Sequence, residues 1–241
     1  MELKKSKKYV NKIRSTDVYD VAQVSPITKA VGLSSQYENN ILLKREDMQS
    51  IFSFKLRGAY NKLSKLYKKG INKPVIAASA GNHAQGVAFA SSKLGLKATI
   101  IMPVTTPSIK INSVKRFGAK VILHGDNFDE AFKFAKNLTK KKEATFIHPY
   151  DDSDVIAGQG TIGMEILDAL DSKVHAVFVP VGGGGLLAGV GSYIKSINPK
   201  IKVYGVEPED AACLDAAISA GKRVSLKEVG LFADGVAVKQ I

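Results

Sequence analysis

Cysteine is almost absent from this 241-residue sequence, and tryptophan is absent altogether. The single cysteine, Cys213, excludes a disulfide framework and a cysteine-based zinc site, and such sparse use is typical of a reducing cytoplasm. No apolar run approaches the roughly 18 residues that a membrane-spanning helix needs. The N-terminal lysines are not followed by an apolar core, so the sequence predicts neither a secretory signal peptide nor a membrane protein.

Acidic residues are also scarce, because 22 aspartates and glutamates face 35 lysines and arginines, for a net charge of +13. The excess lies in residues 1–150, which carry 27 basic and 10 acidic side chains, whereas residues 151–241 carry 8 and 12. Such a charge invites a nucleic-acid interpretation. The basic residues are mostly lysines along predicted helices, without interleaved aromatic residues, and they predict a solvated surface with no nucleic-acid partner. Salt-sensitive retention of DNA would support the alternative.

Short apolar runs alternate with helical patterns from residue 75 onward. The runs are bounded by turn residues, as buried strands are: Val75–Ala78, Ala98–Met102, Val121–Leu123, Ala144–Ile147, Ala176–Val181 and Lys202–Val206. Helical spacing is found at 55–67, His83–Leu94, Pro107–Phe117, Phe128–Leu138 and Gly163–Leu170. This alternation predicts an α/β fold class with parallel sheets covered by helices. The length indicates one or two domains.

Lys55 follows Phe54 and precedes Leu56 at the start of a predicted amphipathic helix. An apolar setting disfavours the ammonium form, so the pKa of this lysine should fall. A neutral amine is a nucleophile suited to forming a Schiff base with a carbonyl compound. The alternative is an ordinary first-turn lysine that points into water, and position alone favours it.

A turn rich in small and polar residues follows the first predicted strand and leads into a helix. Its residues are Ser79, Ala80, Gly81, Asn82 and His83. Gly81 permits a tight turn, and the free N–H groups of the new helix can hold an anion such as a carboxylate. Simple capping of the helix is the alternative.

Four consecutive glycines, Gly182, Gly183, Gly184 and Gly185, precede Leu186 between a predicted strand and a helix. Such a run is conformationally expensive, and it suits a backbone that wraps closely around a phosphate. It matches neither a Walker loop nor a clean dinucleotide fingerprint. A flexible turn and an oxidoreductase that binds a dinucleotide stay as alternatives.

These three features together indicate a phosphate-bearing carbonyl cofactor, a lysine that can condense with it, and a pocket for a substrate carboxylate. Pyridoxal phosphate acting on an amino acid meets all three requirements.

Four strings carry a family resemblance: VYDVAQVSP at 18–26, KREDMQ at 44–49, SFKLRGAY at 53–60 and FADGVAVK at 232–239. From about Ser15 to Ile241 the sequence resembles the biosynthetic threonine dehydratases (threonine ammonia-lyases), within the tryptophan-synthase-β-like class of pyridoxal phosphate enzymes. The catabolic form and serine racemase match less well at the first and last strings. The resemblance implies two parallel-sheet domains, a larger one at 1–50 and 151–241 and a smaller inserted one at 51–150.

The same resemblance implies roles for the candidate residues. Lys55 would bind pyridoxal 5′-phosphate covalently and then take the α-proton of the substrate, with Phe54 beside the cofactor ring. Asn82 would contact the ring's 3′ oxygen, and Gly182, Gly183, Gly184, Gly185 and Leu186 would bind the phosphate. The turn of Ser79, Ala80, Gly81, Asn82 and His83 would hold the substrate carboxylate.

Two departures from related enzymes sharpen this expectation. Ala80 stands where racemising relatives carry a serine, which argues against a racemase. Glu207 matches one ligand of the cation site that some relatives have, but Cys213 replaces the aspartate, so we expect no dedicated metal site.

The resemblance implies conversion of L-threonine to 2-oxobutanoate and ammonia on the path to isoleucine, in a cytoplasmic homo-oligomer, a tetramer. L-serine dehydratase, or another β-elimination, is the alternative on this fold. We also expect the larger domain to be incomplete at Ile241, with a domain for isoleucine regulation lying in later segments and activity impaired or absent without them.

Overall fold

The computed structural model of the chain describes residues 9–170, 173–230 and 232–241. Strands β1 to β8 are Ile27–Lys29, Leu42–Lys44, Val75–Ala78, Ala98–Met102, Lys120–Leu123, Thr145–Phe146, Ala176–Pro180 and Lys202–Val206. Helices α1 to α8 are Val31–Gln36, Lys55–Lys68, Asn82–Lys93, Ser108–Lys115, Phe128–Lys141, Ser153–Leu170, Gly185–Ile197 and Cys213–Ala220. Residues 9–14 are also helical.

A four-stranded sheet in the order β5-β4-β3-β6 is parallel throughout. All four residues of β3 are buried, which is typical of a strand covered on both faces. Side chains alternate between the faces, so Val75 and Ala77 pack with α2 and α3, whereas Ile76 and Ala78 pack with α5. The predicted α/β class with parallel sheets is thereby confirmed.

A second parallel pair, β7 and β8, is covered by α6 and α7. Ile162 and Ile166 of α6 pack with Val190 and Ile194 of α7 and with Val179 of β7. β1 and β2 form a separate antiparallel pair. The expected division into two domains stays a prediction.

The expected start of α6 at Gly163 is wrong, because this helix begins ten residues earlier, at Ser153. Gly158 and Gly160 weaken the helical pattern of the sequence, and both are there for packing. A Cβ on Gly158 would lie 2.6 Å from the Arg57 carbonyl oxygen, and one on Gly160 would lie 2.5 Å from Ile13 Cδ1. Close approach of α2 and of the helix at residues 9–14 to α6 therefore overrides the low helix propensity of glycine.

Lysines on the α2 surface are paired with nearby carboxylates. Lys62 Nζ lies 2.7 Å from Asp152 Oδ2, and Lys68 Nζ lies 2.7 Å from Asp17 Oδ1. This pairing supports the interpretation that the excess lysines form a solvated surface. Among the described residues, no helix is both long and apolar enough to cross a membrane.

Candidate active site

Lys55 is the first residue of α2, and its backbone N–H donates to Ser53 Oγ at 3.2 Å. Its Nζ atom donates to the Pro149 carbonyl oxygen at 3.1 Å and lies 5.3 Å from the centre of the Phe54 ring. Burial lowers the pKa of Lys55 to about 8. The amine is therefore neutral far more often at neutral pH than an ordinary lysine amine, as a nucleophile or a base requires.

The turn that follows β3 leads into α3, which packs against the start of α2. The Gly81 N–H donates to Ser79 Oγ at 3.2 Å, and α3 begins at Asn82. A Cβ on Gly86 would lie 3.0 Å from the Lys55 carbonyl oxygen, so α3 and the start of α2 touch through backbone. Ser79, Ala80 and Gly81 are half-buried and Asn82 is exposed, at the carboxyl end of a parallel strand. This end is where open α/β sheets bind ligands.

His83 is buried in the first turn of α3 and lies close to Lys55. Its Nε2 atom is 3.1 Å from the Ile147 carbonyl oxygen, which can only accept, so Nε2 carries the proton. Burial, and secondly the charge of Lys55, lower the pKa of His83 to about 3. The imidazole is therefore a neutral hydrogen-bond donor and a very weak base.

The tetraglycine loop forms the N-terminus of α7. Gly184 has a φ of +79° and is the N-cap residue. Because glycine has no side chain, it makes no capping hydrogen bond. Free N–H groups of this first turn can therefore bind an anion. A Cβ on Gly184 would have no atom within 4 Å, so this part of the loop is open. A cavity of about 270 Å³ adjoins it, lined in part by Gly183, Gly184, Gly185, Tyr150 and Arg223.

The turn at residues 147–151 brings these features together. Ile147 binds His83, Pro149 binds Lys55, and the ring of Tyr150 lies 2.3 Å from where a Gly183 Cβ would be. Phe54 and Leu186 also pack against one apolar cluster. Sequence reasoning missed this turn, although its position after β6, at the carboxyl end of a parallel strand, was a usable signal.

Glu207 has a structural role here. Its carboxylate accepts from the backbone N–H groups of Leu214 and Asp215, at 2.9 and 3.0 Å, and thereby caps α8. Burial, then the charge of Glu207, raises the pKa of the Cys213 thiol to about 11. The expectation of no dedicated metal site stays a prediction.

These residues fit pyridoxal phosphate. Lys55 supplies an amine of lowered pKa, and the uncapped start of α7 supplies backbone donors for a phosphate. Phe54 supplies an aromatic wall beside the amine. The fold is of the α/β class, and the site fits a cofactor that binds through a lysine.

Comparisons with known proteins define the family. Residues 18–241 match the family model described as pyridoxal-phosphate dependent enzyme, and the chain belongs to that family. It is 55% identical over 233 residues to the biosynthetic, chloroplastic threonine dehydratase 1 of Solanum lycopersicum, and 53% identical over 233 residues to the biosynthetic L-threonine dehydratase of Escherichia coli. Each match covers 97% of this chain but only 38% and 45% of the relative.

Solved structures agree with this assignment. The processed form of threonine deaminase isoform 2 from Solanum lycopersicum superposes with a TM-score of 0.95 at 50% identity, covering 99% of this chain and 65% of that one. Maize serine racemase is more distant, with a TM-score of 0.89 at 28% identity, covering 96% and 70%. The expected tryptophan-synthase-β-like fold class is confirmed.

Gly183→Ala should destabilise the chain by about 1–3 kcal/mol, because the new methyl group would overlap the Tyr150 ring. Gly191→Ala, further along α7, is the matched control. Its Cβ would meet only Val203 Cγ1 at 3.8 Å, so helix propensity should leave the chain equally stable or more stable. Urea unfolding of both variants measures the difference. Equal stability of the two would contradict the close packing of Tyr150 on the loop.

Proposed function

We propose that the chain catalyses the dehydration and deamination of L-threonine to 2-oxobutanoate and ammonia with pyridoxal 5′-phosphate. The observation that carries the proposal is the Lys55 amine, held at the Pro149 carbonyl with its pKa lowered to about 8. Relatives that are 50–55% identical and named as threonine dehydratases support threonine as the substrate. The chain spans less than half the length of those relatives, so threonine turnover by this chain is a proposal.

We assign the binding roles as follows. Lys55 attaches the cofactor covalently, and Phe54 and Asn82 contact its ring. The phosphate is held by the loop residues Gly182, Gly183, Gly184, Gly185 and Leu186. The turn of Ser79, Ala80, Gly81, Asn82 and His83 binds the substrate carboxylate through its hydroxyl, amide and backbone donors.

Once the substrate amine has displaced it from the cofactor, Lys55 also moves the α-proton of the substrate. When bound, pyridoxal phosphate withdraws electrons from the α-carbon and so acidifies that proton. A base with a pKa near neutrality suits this step, and the lowered pKa of Lys55 meets the requirement. His83 does not, because burial lowers its pKa to about 3. We therefore assign the proton transfer to Lys55 Nζ and a donor role to His83.

The wider context of the reaction is part of the proposal. We place residues 1–50 and 151–241 in a larger domain and 51–150 in a smaller one, and we place the reaction on the path to isoleucine. The single cysteine favours a cytoplasmic protein. Some relatives, however, are named as chloroplastic or mitochondrial. We further propose that the chain acts in a homo-oligomer, a tetramer, that isoleucine regulates.

The direct test is to load the purified 241-residue chain with pyridoxal phosphate and add L-threonine. We expect a visible absorbance band from the lysine-bound cofactor, borohydride trapping of the cofactor on Lys55, and formation of 2-oxobutanoate. A folded chain that traps no cofactor on Lys55 would contradict the cofactor assignment. Trapping without 2-oxobutanoate would contradict the activity of the 241-residue chain itself and leave the cofactor assignment intact.

L-Serine in the same assay tests the alternative substrate, with pyruvate as the product. One methyl group in a pocket changes discrimination by only about 1–3 kcal/mol, so both substrates should react and threonine should react faster. A clear preference for serine would favour the serine dehydratase alternative.

A further inference from the structure

The turn at residues 147–151 holds the candidate lysine through a backbone carbonyl, yet the proposed reaction assigns no role to its side chains. The Pro149 carbonyl accepts from Lys55 Nζ at 3.1 Å, and the Ile147 carbonyl lies 3.1 Å from His83 Nε2. The Tyr150 side chain covers Gly183 and donates to the Gln240 carbonyl at 3.0 Å. The conformation of this turn therefore sets the environment of the Lys55 amine.

His148 fixes the conformation of the turn from within. Its Nδ1 atom lies 2.9 Å from the backbone nitrogen of Asp151 and 3.4 Å from that of Tyr150. Both backbone groups can only donate, so Nδ1 is the acceptor and the neutral ring carries its proton on Nε2. Asparagine folds Asx turns with the same pattern of bonds, through its side-chain oxygen.

The surroundings of His148 keep its imidazole neutral. Its ring packs edge-on against Tyr150, Phe132 and Phe146, with centroids 4.7, 5.8 and 6.2 Å apart. Burial lowers its pKa below the ordinary value. The charged groups that act on it are Asp151 and Asp152, which raise the pKa, and Lys136 and Arg223, which lower it. At neutral pH the Nδ1 lone pair is therefore available to the two backbone donors.

We propose that His148 is a positioning residue for Lys55, because its two backbone hydrogen bonds fix the turn on which the Pro149 carbonyl receives the Lys55 amine. The inference rests on the proposed function, since it concerns the same lysine. Without these bonds the turn opens and water reaches the amine. Because burial is what lowers the pKa of Lys55, that pKa then rises and the amine loses reactivity at neutral pH.

The test is competitive acetylation with trace acetic anhydride, read by peptide mass spectrometry. Labelling of Lys55 is divided by that of exposed Lys97 in the same molecule. At pH 7, we expect His148→Ala to lower this ratio at least tenfold. His148→Asn keeps an acceptor in the turn and should keep the ratio within about threefold of the unsubstituted chain. An unchanged ratio in His148→Ala, or equal losses in both variants with folding intact, would overturn the proposal.

A pH series supplies a readout that a loss of stability alone would not move. As the pH falls through the His148 pKa, below about 6.5, Nδ1 becomes protonated and can no longer accept. We expect the Lys55 to Lys97 ratio to drop in the unsubstituted chain and to stay level in His148→Asn. A parallel course in the two proteins would overturn the proposal, even if His148→Ala does not fold.

Acetylation uses no cofactor, so the outcome is independent of the proposed function. Pyridoxal phosphate trapping on Lys55 is measured separately in the same proteins. The predicted acetylation pattern without cofactor trapping would sustain the role of His148 and refute the cofactor assignment. Equal trapping in all three proteins, with an unchanged acetylation ratio, would refute the role of His148 and sustain the cofactor assignment.

Discussion

Arg57→Met is expected to lower the free energy of unfolding by about 3–5 kcal/mol, the range for a buried charge that loses its partner. The Arg57 side chain is 0% exposed. Its Nε donates to Glu46 Oε2 at 2.8 Å, and its Nη2 donates to Glu165 Oε2 at 3.1 Å. Methionine would fill much of the volume but would leave both carboxylates without their main donor. Urea unfolding monitored by circular dichroism measures the loss.

Arg45→Met is the matched control for this prediction. Arg45 pairs with Asp47 at 2.6 Å, but the two side chains are 37% and 58% exposed. Exposed pairs contribute about 0–1 kcal/mol, so this variant should remain near the stability of the unsubstituted chain. Adding Glu46→Gln to Arg57→Met should recover part of the loss, because the carboxylate charge that loses Arg57 as its cationic partner is then removed. Similar losses at Arg45 and Arg57 would show that burial is not what makes the Arg57 network stabilising.

The same network also determines how the free energy of unfolding changes on acidification. Burial would raise the pKa of Glu165, but hydrogen bonds and charge from Arg57 and Lys44 reverse this and leave its pKa below the ordinary value. A depressed pKa contributes stability that is present above the unfolded value of about 4.3 and lost as the pH falls through the folded value. The stability gap between Arg57→Met and Arg45→Met should therefore be full above about pH 4.3 and should narrow on acidification, because Arg57→Met lacks a cation that depresses the Glu165 pKa.

Local signals in the sequence were sufficient for much of the site. Lys55 stands out because its helix is amphipathic and its neighbours are apolar, and burial does lower its pKa. The glycine loop stands out because four glycines are costly in any ordinary strand-to-helix connection. Its left-handed Gly184 and the contact of Gly183 with Tyr150 give the physical reason for that composition.

Contacts between distant segments could not be predicted in this way. Arg57 lies 11 residues from Glu46 and 108 from Glu165, and no local pattern reveals that they meet. The Pro149 carbonyl is likewise 94 residues from Lys55, and a backbone acceptor has no residue type to mark it. The sequence placed Lys55 on a helix, whereas only the tertiary structure supplies the group that holds its amine.

Lys55→Ala is expected to abolish cofactor trapping and to lower threonine turnover by a factor of about a thousand or more, because the proposed function gives one amine the roles of covalent anchor and of base. Removal of the amine should lower activity but raise the free energy of unfolding. Burial lowers the folded-state pKa to about 8, against about 10.4 in an unfolded chain. Below pH 8 the folded chain therefore bears the full unfavourable contribution of a buried ammonium group, and this contribution fades as the pH rises from about 8 to about 10.4.

Lys55→Met separates the amine from its packing. Methionine keeps most of the alkyl chain beside Phe54 but has no charge to desolvate, so its melting temperature at pH 7 should exceed that of the unsubstituted chain. The difference should shrink as the pH is raised towards 10, when the unsubstituted chain no longer holds a buried charge. Thermal unfolding at pH 7 and 10 measures it. A Lys55→Met variant that is less stable than the unsubstituted chain at pH 7 would show that the Pro149 carbonyl fully offsets the desolvation of the ammonium. The lysine would then lack the lowered pKa on which its proposed chemistry depends.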